Sequence, residues 1–440
     1  MLAIAVAALA MTATTTSALD FFGYFRDGVG FNGKGGGQAC FSLPGTDFKS
    51  RLGNECDSYL EIGFGQTLWK DSSGVEFFYQ FMPAYDRTGN TGRDNVGSVV
   101  PTLPTGQTVL STPGARVFVQ QNWGGVKLPQ LGGATIWAGQ RYYQRHNIDN
   151  LDWFWWNPLQ GNGAFGIENV NVGIGKFAFA LGRLGPVSDD SLAATGYPSG
   201  NASTYVVPDL RLTLDVVPEG SIEVGVDLAF AGKGLGPNAA SVSPWFTVIY
   251  HQGGLAGGDN TLAFQYGSAA FSTMSSGVSV YRAPTTTDPV GCPACGTTDA
   301  KQWRILDQLV YHPIPEFSGE LALVYQNKDF DANTGASIFT GQIRPAIHLS
   351  EYFKIAADVA YQTVIVKNAP SGTKNPYLVK ATLAPTLVAG QKDGLWARPE
   401  IRVFATYGSW GNLPAGSMAN GVFGTADNGI SLGAQMEAWW

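Results

Sequence analysis

The chain has 440 residues, a net charge of −7 and 57 glycines, with 12% aromatic residues and only 14% charged ones; a typical soluble domain carries about 25% charged residues. An acidic chain without a basic stripe excludes nucleic acid as a partner. Few charges beside many aromatics and glycines point to strands, tight turns and a surface that is not wholly wet.

The first 18 residues, MLAIAVAALAMTATTTSA, read as a secretory leader: an apolar run, a Thr/Ser tail and small residues up to Ala18. Such a segment is removed on export. It lacks a basic start, so its beginning is expected upstream of Met1. The remainder, 19–440, shows no linker and no second composition regime and reads as one domain. No window reaches the ~18 consecutive apolar residues of a membrane helix.

Export permits disulfides. Cys40 and Cys56 lie close together in a Gly/Ser/Pro-rich segment and are expected to pair across the first loop. Cys292 and Cys295 form CPAC within PVGCPACGTTD. A lone CxxC is a weak metal signal. The four histidines (His146, His251, His312, His348) are scattered, so a short loop disulfide is the better expectation and no metal site is expected.

From Asp20 onward the pattern has period two. Phe21, Gly23 and Phe25 share one face, and Phe22, Tyr24 and Arg26 the other. Leu60, Ile62 and Phe64 oppose Tyr59, Glu61 and Gly63. The alternation is cleanest at 210–230, where Leu210, Leu212, Leu214, Val224 and Val226 oppose Arg211, Thr213, Asp215, Glu223 and Asp227. It returns at 353–362 and at the terminus, where Ile430, Leu432 and Met436 oppose Ser431, Gln435, Glu437 and Trp439. Alternation alone also fits a soluble sandwich. Two features tip the balance: charge recurs on the face opposite Leu, Val and aromatics, and the strands reach about ten residues, the length that crosses a bilayer when tilted. In lipid only a closed barrel satisfies every strand's backbone. The expected class is therefore all-β, a transmembrane antiparallel β-barrel of about 18 strands, at about 23 residues per strand and connection. The Gly/Pro/Thr-rich stretches 88–114, 186–204 and 284–298 read as extracellular loops.

The stretch 137–158, WAGQRYYQRHNIDNLDWFWWNP, breaks this pattern. It shows no helical period and no alternation past Tyr143, and it mixes aromatics with Arg141, Arg145, His146, Asp149 and Asp152. Its charges suit a dry core badly. It reads as a constriction loop in a water-filled passage, contacting a ligand that is half apolar and half hydroxylated.

Catalytic signals are weak. Gly28, Gly30 and Gly33 match GxGxxG, but KGGGQAC follows and cannot start the helix that a dinucleotide site needs. Asp149 and Asp152 could form a glycosidase pair, although pore-lining charge is the simpler reading in a barrel. No nucleophile elbow and no HExxH is present. No enzyme activity and no cofactor is expected.

The segments GYFRDGVG (23–30), CF…RLGNEC (40–56), TIWAGQRYYQRH (135–146), IRVFATY (401–407) and the terminal GAQMEAWW together resemble the maltoporins. The resemblance runs from the first strand to the last residue. It implies an outer-membrane homotrimer of barrels in the lipid bilayer, each with its third loop folded inward. It also implies passage of maltodextrin-like saccharides along an aromatic ladder. Ladder positions match at Tyr24, Tyr59 and Trp439, each already on the polar face by alternation. The constriction and polar track match at Arg26, Arg51, Glu61, Arg145 and Asp152. The sequence departs elsewhere: no tryptophan lies in 84–116 to reach a neighbouring subunit, ladder positions fall near Asp259 and Leu349, Phe154 replaces the tyrosine of the narrowest point, and Asn147 and Asn157 replace aspartates. The expected mechanism is facilitated diffusion, with ions and small solutes also passing. A general non-selective diffusion porin is the alternative, and an exported lectin or enzyme a more distant one.

Overall fold

The computed structural model describes residues 19–88, 115–184, 205–232, 240–274, 296–369, 372, 374–413 and 417–440. The leader, nearly all of the three stretches read as extracellular loops, and the Cys292/Cys295 pair fall outside these residues. The strands are β1 (Asp20–Asn32), β2 (Asp57–Lys70), β3 (Glu76–Thr88), β4 (Ala115–Leu128) and β5 (Ala134–Gln140), then the short β6 (His146–Ile148) and β7 (Trp153–Trp156). They continue with β8 (Gly163–Asn171), β9 (Gly175–Leu184), β10 (Tyr205–Val217), β11 (Gly220–Ala231), β12 (Val242–Leu255), β13 (Gly258–Ser268) and β14 (Lys301–Ile314). The last are β15 (Phe317–Asp329), β16 (Gly335–Ser350), β17 (Phe353–Val366), β18 (Tyr377–Val388), β19 (Glu400–Gly411) and β20 (Asn428–Trp439).

Eighteen strands form one antiparallel sheet, and β1 pairs with both β2 and β20, which closes it. The remaining two, β6 and β7, pair with each other inside the barrel. Closure leaves no free edge and satisfies every strand's backbone within the sheet, as a lipid-spanning chain requires. Eighteen strands also leave an aqueous interior.

Burial is inverted relative to a soluble protein. Leu432 is 50% exposed and Val359 49%, whereas Glu437 is 1% and Asp358 0% exposed. The period-two pattern explains this directly: apolar side chains face outward and their charged neighbours face inward.

Two long connections fold into the interior. The third, between β5 and β8, carries the β6–β7 hairpin. The first, between β1 and β2, does the same and was not anticipated. Its Phe48 and Leu52 are buried, Gln362 donates to the Phe48 carbonyl (3.2 Å), Lys380 to that of Leu52 (2.8 Å), and Ser50 to Asp358 (2.5 Å). The Cys40–Cys56 disulfide staples this loop at its base, as expected from the sequence.

Candidate functional site

The register sets the site. Tyr24 on β1 lies opposite Trp439 on β20 and Glu61 on β2, and Arg26, one inward position along, lies opposite Glu437 and Tyr59. Alternate residues of three adjacent strands therefore form two inward rows, with aromatic and charged side chains interleaved. The Tyr24 ring centroid is 6.5 Å from that of Trp439, stacked at 19°, and 6.1 Å from that of Tyr59. The three matched aromatics thus form a contiguous strip.

A dense ionic network holds this strip. The Tyr24 hydroxyl donates to Glu437 (2.8 Å) and accepts from Arg51. Arg51, on the first loop, also donates to Glu55 (2.5 Å), Asp149 (2.6 Å) and Glu437. Arg26 bonds Asp57 (2.5 Å), Glu55 (3.3 Å) and Asp152 (3.5 Å). Arg402 joins Glu55 (2.7 Å) to Glu400 (2.5 Å). Arg398 bonds Glu437 (2.8 Å) and lies over the Trp439 ring at 4.2 Å. Burial alone would raise the Glu55 carboxyl, but Arg51, Arg402 and Arg26 overcome that and hold it down at about 2. Buried charges of this kind are compensated pair by pair, which fixes side-chain positions more than it adds stability.

Of the residues expected from the sequence, Tyr24, Tyr59, Trp439, Arg26, Arg51, Glu61, Arg145, Asp152 and Phe154 gather in this region. Arg51 is buried and uses its donors on protein groups, so it braces Tyr24. Glu61 accepts from the Tyr59 hydroxyl (2.7 Å) and from that of Tyr142. The Arg145 guanidinium lies between the rings of Tyr142 (3.5 Å) and Phe154 (4.3 Å). Tyr142, Glu55, Arg398 and Glu437 join the site without having been singled out, and Asp149, noted among the charges of the constriction loop, joins it through Arg51. Glu437 shared its inward face with Trp439 in the alternation and was the most readable of them. Asn147 is exposed opposite Phe154, and Asn157 is buried, bonding Gln160 at 2.5 Å.

The constriction loop corrects one expectation. Past Tyr143 it does contain strand structure, the β6–β7 hairpin, and most of its aromatics are dry. Trp153, Trp155 and Trp156 are buried in one cluster with Ile148, Leu151, Trp245, Phe271 and Leu306. The charged groups beside them are paired. Arg211 chelates Asp209 (2.8 and 2.9 Å), donates to the Gln144 carbonyl (2.5 Å) and lies 3.7 Å from the Trp156 ring centroid. The Trp156 indole N–H donates to Asp227 (3.0 Å), and His146 Nε2 is 3.1 Å from Glu223. Gly225 on the facing wall leaves the space that the Trp156 ring fills; any Cβ there would collide with it. Wall strands β10 to β14 thus hold the back of the loop, while Tyr142, Arg145, Asp152 and Phe154 stay on its other side, toward Tyr24 and Tyr59.

Comparison with known proteins fits this architecture. The LamB porin family model matches residues 19–440. Among solved structures, the chain is similar to OccAB1 of Acinetobacter baumannii (10% identity, 96% of each chain covered, TM-score 0.48). It is similar to OpdK of Pseudomonas aeruginosa with vanillate (8% identity, 96% of this chain and 99% of that one, TM-score 0.46) and to the trimer form of Vibrio cholerae OmpT (9% identity, 96% and 99%, TM-score 0.40). With its match running over the whole barrel, the chain belongs to the LamB porin family, the maltoporins, and is a channel of the bacterial outer membrane.

Proposed function

We propose that the channel passes saccharides by facilitated diffusion along Tyr24, Tyr59 and Trp439. The observation that carries this reading is the contiguity of the three rings on adjacent strands, with carboxylates and guanidinium groups along their edges. A pyranose presents apolar C–H faces and a rim of hydroxyls, so flat rings flanked by charges complement it. By analogy with aromatic pairs, each stacking contact is worth about 0.5–1.5 kcal/mol. Contacts that weak, in succession, favour entry without trapping, the condition for conduction. Charge-assisted bonds from the flanking groups that stay partly exposed, Arg145, Asp149 and Asp152, replace the hydroxyls' water contacts. The strip is short, which favours small maltodextrins or a related saccharide over long chains. Ions and small solutes share the path.

A homotrimer fits the outer face. Asp27 and Ser58 (2.5 Å apart), with Arg87 at 4.0 Å from Asp27, lie on the outward side of β1–β3, where a neighbouring barrel accommodates charge better than lipid does. Chemical cross-linking in detergent should give a three-chain species.

Planar-bilayer recordings with a panel of glucose, sucrose and maltodextrins test the proposal. Saturable block of the ion current by at least one of them is expected. Current insensitive to every sugar would make this a general diffusion porin.

A further inference from the structure

The turn-side connections of the barrel are unequal. Seven of them run two to five residues, whereas the eighth, 389–399 between β18 and β19, has eleven. Short turns mark the periplasmic side of such barrels, so this one long turn stands at the channel's exit.

It does not hang into solvent. Its 3₁₀ helix, Gln391–Trp396, lies against β15 and β16. Gly394 reaches still further, to His312 on β14: a Cβ at that position would lie 2.9 Å from His312 Nδ1. His312 shares the inward face of β14 with Arg304 and Leu306, and its ring lies 6.3 Å from that of His348, itself buried and 2.8 Å from Ser318 Oγ. From β18 to β14 is four strand spacings, roughly 19 Å at about 4.8 Å each. A segment that leaves β18 and meets an inward-facing side chain on β14 must cross the interior of the mouth. Gly394 is needed there for two reasons, its φ of 60° and the missing Cβ.

The return leg is anchored on the opposite side. Arg398 donates to the carbonyls of Leu395 (3.1 Å) and Ala397 (2.9 Å), which holds the turn's shape. The same guanidinium bonds Glu437 and covers the Trp439 ring. Leu395 and Ala397 are buried, and Trp396 is 38% exposed. The turn is therefore packed at both ends, against the β14–β16 wall and against the aromatic strip.

We propose that the turn 389–399 is a second constriction, at the periplasmic mouth, and that its exposed Trp396, held in place through the buried Arg398, determines what leaves beside Trp439. This rests on the chain being a channel and is independent of which sugar it passes. Solute coming off Tyr24 and Trp439 meets the turn next, so exit is confined to the side of the mouth that the turn leaves open. Entry from the periplasmic side is restricted by the same element.

Single-channel conductance tests this. Replacing 391–396 by Gly-Ser, with Arg398 and Pro399 kept, should raise ion conductance about twofold, because a constriction in series limits the current. Where sugar blocks, its association rate from the turn side should rise toward that from the loop side. If the shortened chain does not fold, Trp396→Cys decides: a charged methanethiosulfonate added on the turn side should lower conductance by about a third relative to the treated parent channel. Unchanged conductance in the shortened channel, or in fully labelled Trp396→Cys confirmed by mass spectrometry, overturns the proposal. Either result is read from ion current and leaves sugar selectivity as a separate question.

Discussion

The two faces of the constriction loop share a sequence style but not an environment. On one face Trp153, Trp155 and Trp156 pack without water against β10–β14, with Arg211 and Arg304 lying over their rings. On the other, Tyr142 and Phe154 flank Arg145 beside Glu61 and Tyr59. The first set binds the loop to the wall, and the second is the one we propose to meet what passes. An aromatic residue in a channel is therefore not evidence of ligand contact by itself. What separates the sets is whether the opposite wall offers a gap, as at Gly225, or a gallery of polar edges, as along β1, β2 and β20.

Breaking the dry face should have the largest effect. Trp156→Ala removes a fully buried indole, a change that costs about 3–5 kcal/mol in protein cores, and leaves Asp227 without its N–H donor. The loop should detach, giving higher and noisier conductance and a lower unfolding temperature in detergent. Gly225→Val should produce the same phenotype from the wall side, by excluding the ring. Wild-type conductance in both variants would remove the distinction drawn between the two faces.

Acid should act next, through the first loop. Glu55 titrates well below its usual value of 4.5, at about 2, because Arg51, Arg402 and Arg26 outweigh its burial. A depressed carboxylate contributes docking energy fully above about pH 4.5 and loses it as pH falls through about 2. Protease sensitivity of the 33–56 loop should rise between those values. Glu55→Gln should be sensitive at neutral pH and flat with acidification; a parental profile in that variant would exclude Glu55 as the responsible group.

On the wet face the effect moves from stability to selectivity. Trp439→Ala should leave unfolding nearly unchanged and weaken sugar block about tenfold, the equivalent of roughly 1.4 kcal/mol from lost stacking. Equal block in this variant and the parent would argue that the strip is structural.

The barrel was legible in the sequence because lipid and lumen impose one rule on every strand. Leu210 and Arg211, or Val359 and Asp358, announce their sides without reference to any neighbour. Tyr24, Tyr59 and Trp439 were readable for the same reason. The loops obey no such rule. Residues 33–56 have the composition of a surface segment, and much of what holds them inside is wall side chains donating to their carbonyls, as Lys380 does to Leu52. Backbone acceptors leave no trace in side-chain pattern. The hairpin β6–β7 is too short for alternation to be recognised, and its partners, Arg211 and Asp227, lie more than 50 residues away. Arg398 falls in a turn, where spacing carries no information.

The smallest effect tests the wet face at a single atom. Phe154 and Tyr142 grip Arg145 from either side. Phe154→Ala removes one plate, frees the guanidinium and should raise ion conductance while weakening sugar block. Phe154→Tyr keeps the plate and adds a hydroxyl. One further hydrogen bond is worth about 0.5–1.5 kcal/mol net, so block should strengthen roughly threefold with conductance unaltered. The pair of substitutions separates width from chemistry. Conductance unchanged in Phe154→Ala would mean that this ring does not border the current path, and tighter block in Phe154→Tyr would then need another cause.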